Sequence, residues 1–337
     1  NYDGVVGVFG ALECVRTLNE SGISVGRPIE VIAFNDEEER FLGFLGSYAL
    51  TGRLDPSDLA DVRDAEGVLL VDAMREWGLD PEVIRRAERS VTDVFAFVEL
   101  HIEQGPILER EGASIGVVSL VKGNYRWEVT VEGQTDHAGA PVGGRRDAFM
   151  VMHEIVSSMV DYRGNHGRER HGREMHGDDD ATLTVGRIAV EPNIETAQPG
   201  FVRFSVDVRS PDERFLRGAD ARLADLIQRT AVPGMSVSRK DILIEDPVRF
   251  DSRVIAIIND AADKLGYQRR SISSGAGHDA QVVAGRFPAA MIFIPSVGGR
   301  SHCPQEFTET HDIERGVNVL YRTMVSLATV PVAEERW

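Results

Sequence analysis

Residues 28–39, Pro-Ile-Glu-Val-Ile-Ala-Phe-Asn-Asp-Glu-Glu-Glu, contain the stretch that decides the fold. The apolar run over residues 29–34 is typical of a buried β-strand, and it leads directly into an acidic cluster. A second strand is predicted over 94–102 and carries His101 near its end. Helical patterns between the strands predict an α/β layer with a largely parallel sheet. Because ligands bind beyond the carboxyl ends of strands in such sheets, the acidic cluster and His101 are expected to face one crevice.

The start of the chain predicts a helix. Over residues 4–18, the apolar side chains of Val8, Leu12 and Val15 fall on one helical face. The glycine-rich run at residues 4–10 also resembles a nucleotide-binding loop, but no strand precedes it, which disfavours that interpretation. The opening residues already look like the interior of a domain, so we expect that an N-terminal segment is missing.

The pattern changes near residue 122, where polar and apolar residues alternate as in a half-exposed strand. The elements predicted after this strand are a helix, two strands, a helix and a closing strand, at residues 146–162, 183–190, 201–208, 212–229 and 235–244. This order predicts a small α+β domain over residues 122–244. It is inserted between two parts of the α/β domain, residues 1–121 and 245–337. A histidine-containing stretch at 163–180 is predicted to be a solvated loop, in preference to a metal site.

Composition excludes several classes of protein. The chain has 337 residues and a formal net charge of −17, which argues against nucleic acid as a partner. No apolar run reaches the roughly 18 residues of a membrane span. The two cysteines, Cys14 and Cys303, are too few for a disulfide framework, so a cytoplasmic location is expected.

Four candidate metal ligands each have an ordinary structural interpretation as well. Asp3 resembles a helix N-cap, the acids after residue 35 resemble a solvated helix start, and a strand histidine such as His101 is usually structural. His302 lies in a loop after a strand, where functional residues concentrate. Imidazole and carboxylate groups together suit zinc, or manganese or cobalt in the same geometry.

Taken together, six stretches match a known family in its order along the chain. They are Glu99-Leu100-His101-Ile102-Glu103-Gln104-Gly105-Pro106, His137-Ala138-Gly139-Ala140-Pro141 with Arg145-Arg146-Asp147-Ala148, Pro192-Asn193, Asp207-Val208-Arg209, Gly275-Ala276-Gly277-His278-Asp279-Ala280 and Ser301-His302-Cys303-Pro304. They resemble the hydantoinase/carbamoylase amidases of the M20 metallopeptidase group, which include N-carbamoyl-L-amino acid hydrolase, β-ureidopropionase and allantoate amidohydrolase. The resemblance implies a zinc-hydrolase catalytic domain and an inserted ferredoxin-like lid that also forms a homodimer.

The resemblance also implies two divalent metal ions bridged by Asp3. Glu38, His101 and His302 become the further ligands, and Glu37 becomes the base that deprotonates the attacking water. A second register, in which Asp36 is the base and Glu37 the ligand, restores the family's usual spacing to Arg-Phe. We prefer the first register because Asp-Glu-Glu is the form found in the wider group.

The remaining implied roles concern the substrate. His137 resembles a histidine that reaches across the dimer to polarise the scissile carbonyl, while Asn193 and Arg209 resemble a clamp for a carboxylate. Gln104 is the implied contact to a ureido group. For His278-Asp279, a structural pairing is an equally good interpretation.

One departure from the family affects the metal site. Family members carry a His-x-Asp stretch upstream of Tyr-Asp-Gly, and its histidine binds the first metal; residues 1–337 contain no such stretch before Asp3. The site of Asp3 and His101 is therefore expected to lack a ligand, whereas Asp3, Glu38 and His302 could form a complete site. The expected activity is hydrolysis of a carbamoyl or ureido C–N bond in a small carboxylate substrate. The alternatives are an allantoate amidohydrolase, an M20-type peptidase or aminoacylase, and a catalytically impaired dimeric remnant.

Overall fold

The structure, a computed structural model, describes residues 2–141, 143–169, 181–230 and 233–329. Its contacts divide the chain into two units: residues 1–121 with 248–337, and residues 122–247. Most of the predicted histidine-containing loop, residues 170–180, lies outside the described residues. Among the helices of the described residues, none is long and apolar enough to cross a membrane.

The described elements alternate between helices and strands along the chain. The α-helices are α1 Val5–Ser21, α2 Leu45–Leu50, α3 Pro56–Leu59, α4 Leu70–Glu76, α5 Ile107–Glu111, α6 Ala148–Glu169, α7 Glu213–Thr230, α8 Ser252–Lys264, α9 Asp279–Ala284 and α10 Thr310–Thr329. The strands are β1 Phe97–Ile102, β2 Ile115–Val121, β3 Gly123–Glu132, β4 Asp136–His137, β5 Thr182–Thr184, β6 Ile188–Glu191, β7 Ala197–Gln198, β8 Phe201–Ser210, β9 Ser236–Glu245, β10 Val248–Arg249, β11 Arg269–Ser274 and β12 Ala289–Ile294. Short 3₁₀ helices cover Pro81–Ala87 and Val297–Gly299.

The first unit is built on a mixed sheet in which β12 lies between β1 and β2. Strands β1 and β12 run parallel, whereas β2 runs antiparallel to β12 and also pairs with β10 and β11. The sheet is therefore less parallel than predicted, because only the short helix α5 separates β1 from β2 and the chain reverses direction there. Helices α1, α8 and α10 pack against this sheet, and α10 also packs against α1 and α8.

The predicted strand at residues 29–34 is not paired in the structure. These residues form no assigned strand, and no backbone hydrogen bond joins them to another described segment. A cavity of about 550 Å³ separates them from residues 96–101, which include most of β1. A strand is defined by its ladder, so an apolar run without a neighbouring strand stays unassigned.

Helix α1 buries a different face from the predicted one. Leu12, expected to face the core, is 50% exposed. The buried side chains are Val6, Gly10, Cys14 and Leu18. The glycines of α1 explain which face of the helix is buried, because a Cβ added at Gly7 would lie only 2.5 Å from the carbonyl oxygen of Leu100 in β1. The face that carries Gly7 and Gly10 can therefore approach the sheet more closely than the larger side chains could.

The second unit is an antiparallel sheet with two helices. The strand order is β5–β8–β3–β9, and β6 pairs with β8 beside β5. Side chains of β3 alternate between buried and half-buried, as predicted for a strand with one covered face. Helices α6 and α7 pack on each other and on β3 and β8, with Trp127 and Phe204 fully buried beneath them. Helix α6 extends to residue 169, seven residues beyond the predicted end.

The close packing of α1 on β1 predicts opposite effects for two glycine substitutions. Gly7→Ala is expected to lower the free energy of unfolding by about 1–3 kcal/mol, because the added methyl group overlaps the Leu100 carbonyl. Gly164→Ala in α6 is the matched control, since an added Cβ there has no neighbour within 4 Å. It should raise stability by about 0.5–1 kcal/mol through helix propensity. Thermal and urea unfolding measure both, and equal effects of the two substitutions would contradict the packing argument.

Candidate metal centre and surrounding residues

Asp3 lies at the centre of the candidate site, immediately before helix α1. Its Oδ1 is 2.9 Å from Nε2 of His101, and its Oδ2 is 3.1 Å from Nε2 of His302. Burial by itself would raise the pKa of Asp3, but the hydrogen bond and charge of His101, with help from Ser301 and His302, hold it well below its ordinary value. The carboxylate is therefore ionised and has an imidazole on each oxygen.

Asp3, Glu38 and His302 could together hold a metal ion. Their ligand atoms all lie within 4.8 Å of one another, and the Glu38 Oε1 to His302 Nε2 distance is 3.6 Å. Ligand atoms of a tetrahedral zinc ion are roughly 3.3 Å apart, given metal–ligand distances near 2.0–2.2 Å. Two carboxylates and one imidazole fit that ion in chemistry and in spacing. The side chains of Glu38 and His302 are largely exposed, which leaves the site open to a substrate.

The Glu306 carboxylate organises the backbone around these ligands. One of its oxygens accepts hydrogen bonds from the backbone N–H groups of Tyr2, at 2.8 Å, and Asp3, at 3.3 Å. The other accepts from the Ser301 hydroxyl and the His302 N–H, at 3.0 and 3.3 Å. Glu306 thus joins the start of the chain to the loop that carries His302. Glu306 was not predicted from the sequence, because its place four residues after His302 is its sole signal there.

Gln104 contacts the central carboxylate directly. Its side-chain amide donates to Oδ2 of Asp3 at 2.7 Å and to the Ser301 hydroxyl at 3.1 Å. Its Oε1 is buried and has no hydrogen-bond partner among the described residues. Leaving a buried acceptor unpaired costs free energy. This oxygen could therefore accept a hydrogen bond from an N–H group of a ligand.

The acidic turn, residues 36–39, contains one residue with a structural role and two that lie at the candidate site. The Asp36 carboxylate accepts the backbone N–H groups of residues 40–42 at 2.7, 3.0 and 2.9 Å, so both of its oxygens are used within the turn. Glu38 points to the metal ligands, and Glu37 is more buried. Burial, together with the negative charges of Glu38 and Asp279, raises the pKa of Glu37 to about 8.

A second group of possible ligands lies deeper, at Glu99, His101 and His278. Glu99 and His101 are two residues apart on β1 and therefore share a face. The Glu99 carboxylate is 3.8 Å from His278 Nδ1, and the rings of His278 and His101 meet edge to face at 4.5 Å. Burial lowers the pKa of His101, but Asp3 and Glu99 outweigh it and raise the value to about 9. Burial keeps the pKa of His278 well below its ordinary value.

His278 and Asp279 both belong to this buried region. His278 Nε2 lies 2.9 Å from the Ser274 hydroxyl, and the Asp279 side chain hydrogen-bonds to Ser47. One Asp279 oxygen is buried and unpartnered among the described residues. Burial raises the pKa of Asp279 to about 6. The two side chains thus have different partners and do not form a simple pair.

The remaining predicted residues lie in the second unit. His137 in β4 is exposed, and its Nδ1 accepts the Gly139 backbone N–H at 3.0 Å. The neutral ring therefore carries its proton on Nε2, which can donate to a ligand. Asn193 is exposed in a left-handed conformation, with φ of 53°. The Arg209 guanidinium contacts the Asp207 carboxylate at 3.0 Å and is partly exposed.

Comparisons with known proteins agree on one family. Residues 1–326 match the Peptidase family M20/M25/M40. An N-carbamoyl-L-amino-acid amidohydrolase of Paenarthrobacter aurescens is 36% identical over 330 residues, which cover 97% of this chain and 77% of the relative. An allantoate amidohydrolase of Bacillus subtilis (strain 168) is 34% identical over 331 residues, with coverages of 97% and 77%. A hydantoinase/carbamoylase family amidase from Burkholderia multivorans superposes with a TM-score of 0.85 at 35% identity, over 98% of this chain and 78% of that one. The chain belongs to the M20/M25/M40 peptidase family, in the branch of the hydantoinase/carbamoylase amidases.

Proposed function

We propose that this chain hydrolyses the carbamoyl C–N bond of an N-carbamoyl-L-amino acid or a similar small ureido carboxylate. The observation that carries the proposal is the convergence of Asp3, Glu38 and His302 on one point, with the partly buried carboxyl of Glu37 beside them. The two relatives named above support the class of bond, because their names give N-carbamoyl-L-amino acids and allantoate as substrates.

The metal ions are proposed to be two divalent cations, preferably zinc, with manganese or cobalt as alternatives. Asp3, Glu38 and His302 would hold one ion, and Asp3 with His101 would contribute to the other. When bound, such ions supply Lewis-acid chemistry, which acidifies water and polarises a carbonyl group. Glu99 and His278 are the nearest additional groups that could complete a ligand set around His101.

Glu37 is proposed to move the protons of the reaction. A carboxylate next to two metal-ligand carboxylates can take a proton from the attacking water and return it to the leaving nitrogen. Its partial burial favours this role, because a base with a raised pKa holds its proton more firmly between the two steps. Asp36 is a poorer candidate, since the backbone of residues 40–42 already engages both of its oxygens.

The substrate-binding roles that the resemblance implies are proposed for four residues, each taken by itself. The Gln104 Oε1 would accept an N–H of the ureido group, because it is a buried acceptor without a described partner. Arg209 and Asn193 would bind the substrate carboxylate, for which a guanidinium fork is well suited. His137 would donate from Nε2 to the developing oxyanion, an interaction worth roughly 3–4 kcal/mol in comparable sites. A homodimer through the second unit and a cytoplasmic location remain part of the proposal.

A second candidate substrate is allantoate, favoured by the B. subtilis relative. Both substrates carry a ureido nitrogen and a carboxylate, so the same groups could bind either one. A peptidase or aminoacylase activity is the wider alternative, because the matched family is named for its peptidases. A dimeric remnant without activity is the remaining alternative, and it would bind no metal.

Ammonia release tests the activity. With zinc, manganese or cobalt added, the protein should release ammonia from N-carbamoyl-L-amino acids or allantoate. Glu37→Gln should lower kcat by about 10²–10⁴-fold, as expected for loss of a general base. Acyl amino acids and dipeptides form the comparison panel. If only the panel were cleaved, the substrate assignment would be wrong. If nothing were cleaved and no metal bound, the remnant would be favoured.

The two registers of the acidic turn predict different outcomes for one substitution. Asp36→Asn should lower the free energy of unfolding by about 1–3 kcal/mol, since an amide accepts fewer of the three backbone N–H groups. The kcat of the folded fraction should stay close to that of the unaltered protein. Urea unfolding and steady-state kinetics measure the two effects. A fall in kcat as large as that of Glu37→Gln would show that Asp36 is the base.

Metal binding provides a test that does not depend on turnover. Glu38→Gln should weaken zinc binding by more than the 10–100-fold that is usual for residues outside the ligand set, measured by titration calorimetry and elemental analysis. Glu39→Gln is the matched control, because Glu39 is an exposed neighbour outside the ligand group. Glu37→Gln should retain zinc. Equal losses in the Glu38 and Glu39 variants would rule out Glu38 as a ligand.

A further inference from the structure

The ring of His137 is held by the turn that follows it. The side chain is exposed, and strand β4, which carries it, is only two residues long. Among the described residues, the ring makes a single hydrogen bond, which its Nδ1 accepts from the backbone N–H of Gly139 at 3.0 Å. The orientation of the imidazole therefore depends on how the peptide unit before Gly139 is held.

The turn spans residues 137–140 and has a regular backbone. The Ala140 N–H donates to the His137 carbonyl at 2.8 Å, which closes a β-turn. The Ala138 N–H donates to the Thr196 carbonyl at 2.8 Å, beside the pairing of β4 with β7. These bonds anchor the turn to its own unit. The carbonyls of Ala138 and Ala140 accept hydrogen bonds from a side chain instead.

That side chain belongs to Arg145, five residues after the turn. Its Nη2 donates to the carbonyl oxygens of Ala138 and Ala140, each at 2.6 Å. The Ala138 carbonyl and the Gly139 N–H belong to the same planar peptide unit and point in opposite directions. By holding the carbonyl, Arg145 therefore aims the N–H on the other side at the imidazole. Hydrogen bonds from a charged donor are shorter and stronger than neutral ones, which suits this restraint.

Gly139 also allows the ring to lie close to this peptide unit. A Cβ added at Gly139 would lie 3.2 Å from Nδ1 and 3.3 Å from Cε1 of His137, closer than side chains usually come. The imidazole thus rests against the backbone itself. A rotation of the peptide unit would displace the ring as well as break its hydrogen bond.

We propose that Arg145 is a positioning residue for His137. It orients the peptide unit between Ala138 and Gly139, and this unit keeps the imidazole in one orientation with its proton on Nε2. The inference rests on the proposed function, in which Nε2 of His137 donates to the developing oxyanion. Such a donor is effective because it is in place before the charge develops. Arg145 therefore affects the rate through His137 and without touching the substrate.

Nitrogen NMR of His137 tests the positioning without turnover. The chain has nine histidines, so the signals of His137 are assigned as those that vanish in His137→Ala. At about pH 9, where an ordinary imidazole is neutral, the ring should show a protonated Nε2 and an unprotonated Nδ1. Arg145→Ala should move the two nitrogen signals toward each other, because the two tautomers then exchange.

Arg146→Ala is the matched control for this measurement. Arg146 is the next residue and is also partly buried, but its guanidinium donates to the Gln134 side chain at 3.1 Å and not to the turn. Its replacement should leave the His137 signals unchanged. Arg145→Lys serves where the alanine variant does not fold. It should give an intermediate shift, because an ammonium group keeps a charged donor but not the fixed guanidinium geometry.

Steady-state kinetics with zinc added show whether the position of the ring matters for the reaction. Arg145→Ala should lower kcat at least about tenfold and change KM less than about threefold, because misplacing a catalytic group slows the chemical step more than binding. In a His137→Ala background, the same substitution should cost nothing further, since the residue through which it acts is gone. Arg145→Lys should recover part of the rate.

The outcomes distinguish this inference from the proposed function. If the unaltered protein turned over no substrate, the proposed function would fail, while the NMR comparison of Arg145→Ala with Arg146→Ala would still decide the positioning. Nitrogen signals that do not move in Arg145→Ala would overturn the inference. So would an unchanged kcat in that variant, or a full tenfold loss from it in the His137→Ala background.

Discussion

The four hydrogen bonds accepted by Glu306 are the interaction on which the candidate site depends. They join the backbone N–H groups of Tyr2 and Asp3 to a loop some 300 positions later, where the Ser301 hydroxyl and the His302 N–H are the donors. Hydrogen bonds to a charged acceptor contribute about 1.5–3 kcal/mol each, more than neutral ones. Because Asp3 and His302 are both candidate ligands, this one buried carboxylate sets the distance between them.

The charge balance around these residues explains why a cation suits the site. Glu37, Glu99 and Asp279 all have raised pKa values, mainly because they are buried. His101 offsets part of this negative charge, but His278 stays neutral because it is buried beside another histidine. Buried carboxylates are tolerated when a positive charge is close. A divalent cation next to Asp3 would supply that charge and favour the ionised forms.

Helix α1 packs closely on β1 and also lines the cavity between β1 and residues 29–34. Gly7 and Gly10 let one face of the helix approach β1 at backbone distance, whereas Leu12 lies on an exposed face. Val5 and Phe9 line the cavity beside β1. The same helix begins two residues after Asp3, so its position on the sheet also determines where the central carboxylate lies. Helix α1 therefore links the packing of the first unit to the geometry of the candidate metal centre.

The sequence by itself identified the family, which the comparisons confirm, because the motifs are local and keep their order along the chain. For the same reason it could predict an inserted domain and a set of site residues. It also predicted strands before the acidic turn and before His101 from their apolar runs, and the structure forms only the second of them, β1, as a paired strand. Three features depended on the tertiary structure. The buried face of α1 followed from glycines whose role appears only against β1, and Glu306 acquired its role from contacts some 300 residues away. The unpaired state of residues 29–34 was equally invisible in the sequence, because a β-strand depends on its neighbours for pairing, and only the fold decides where they lie.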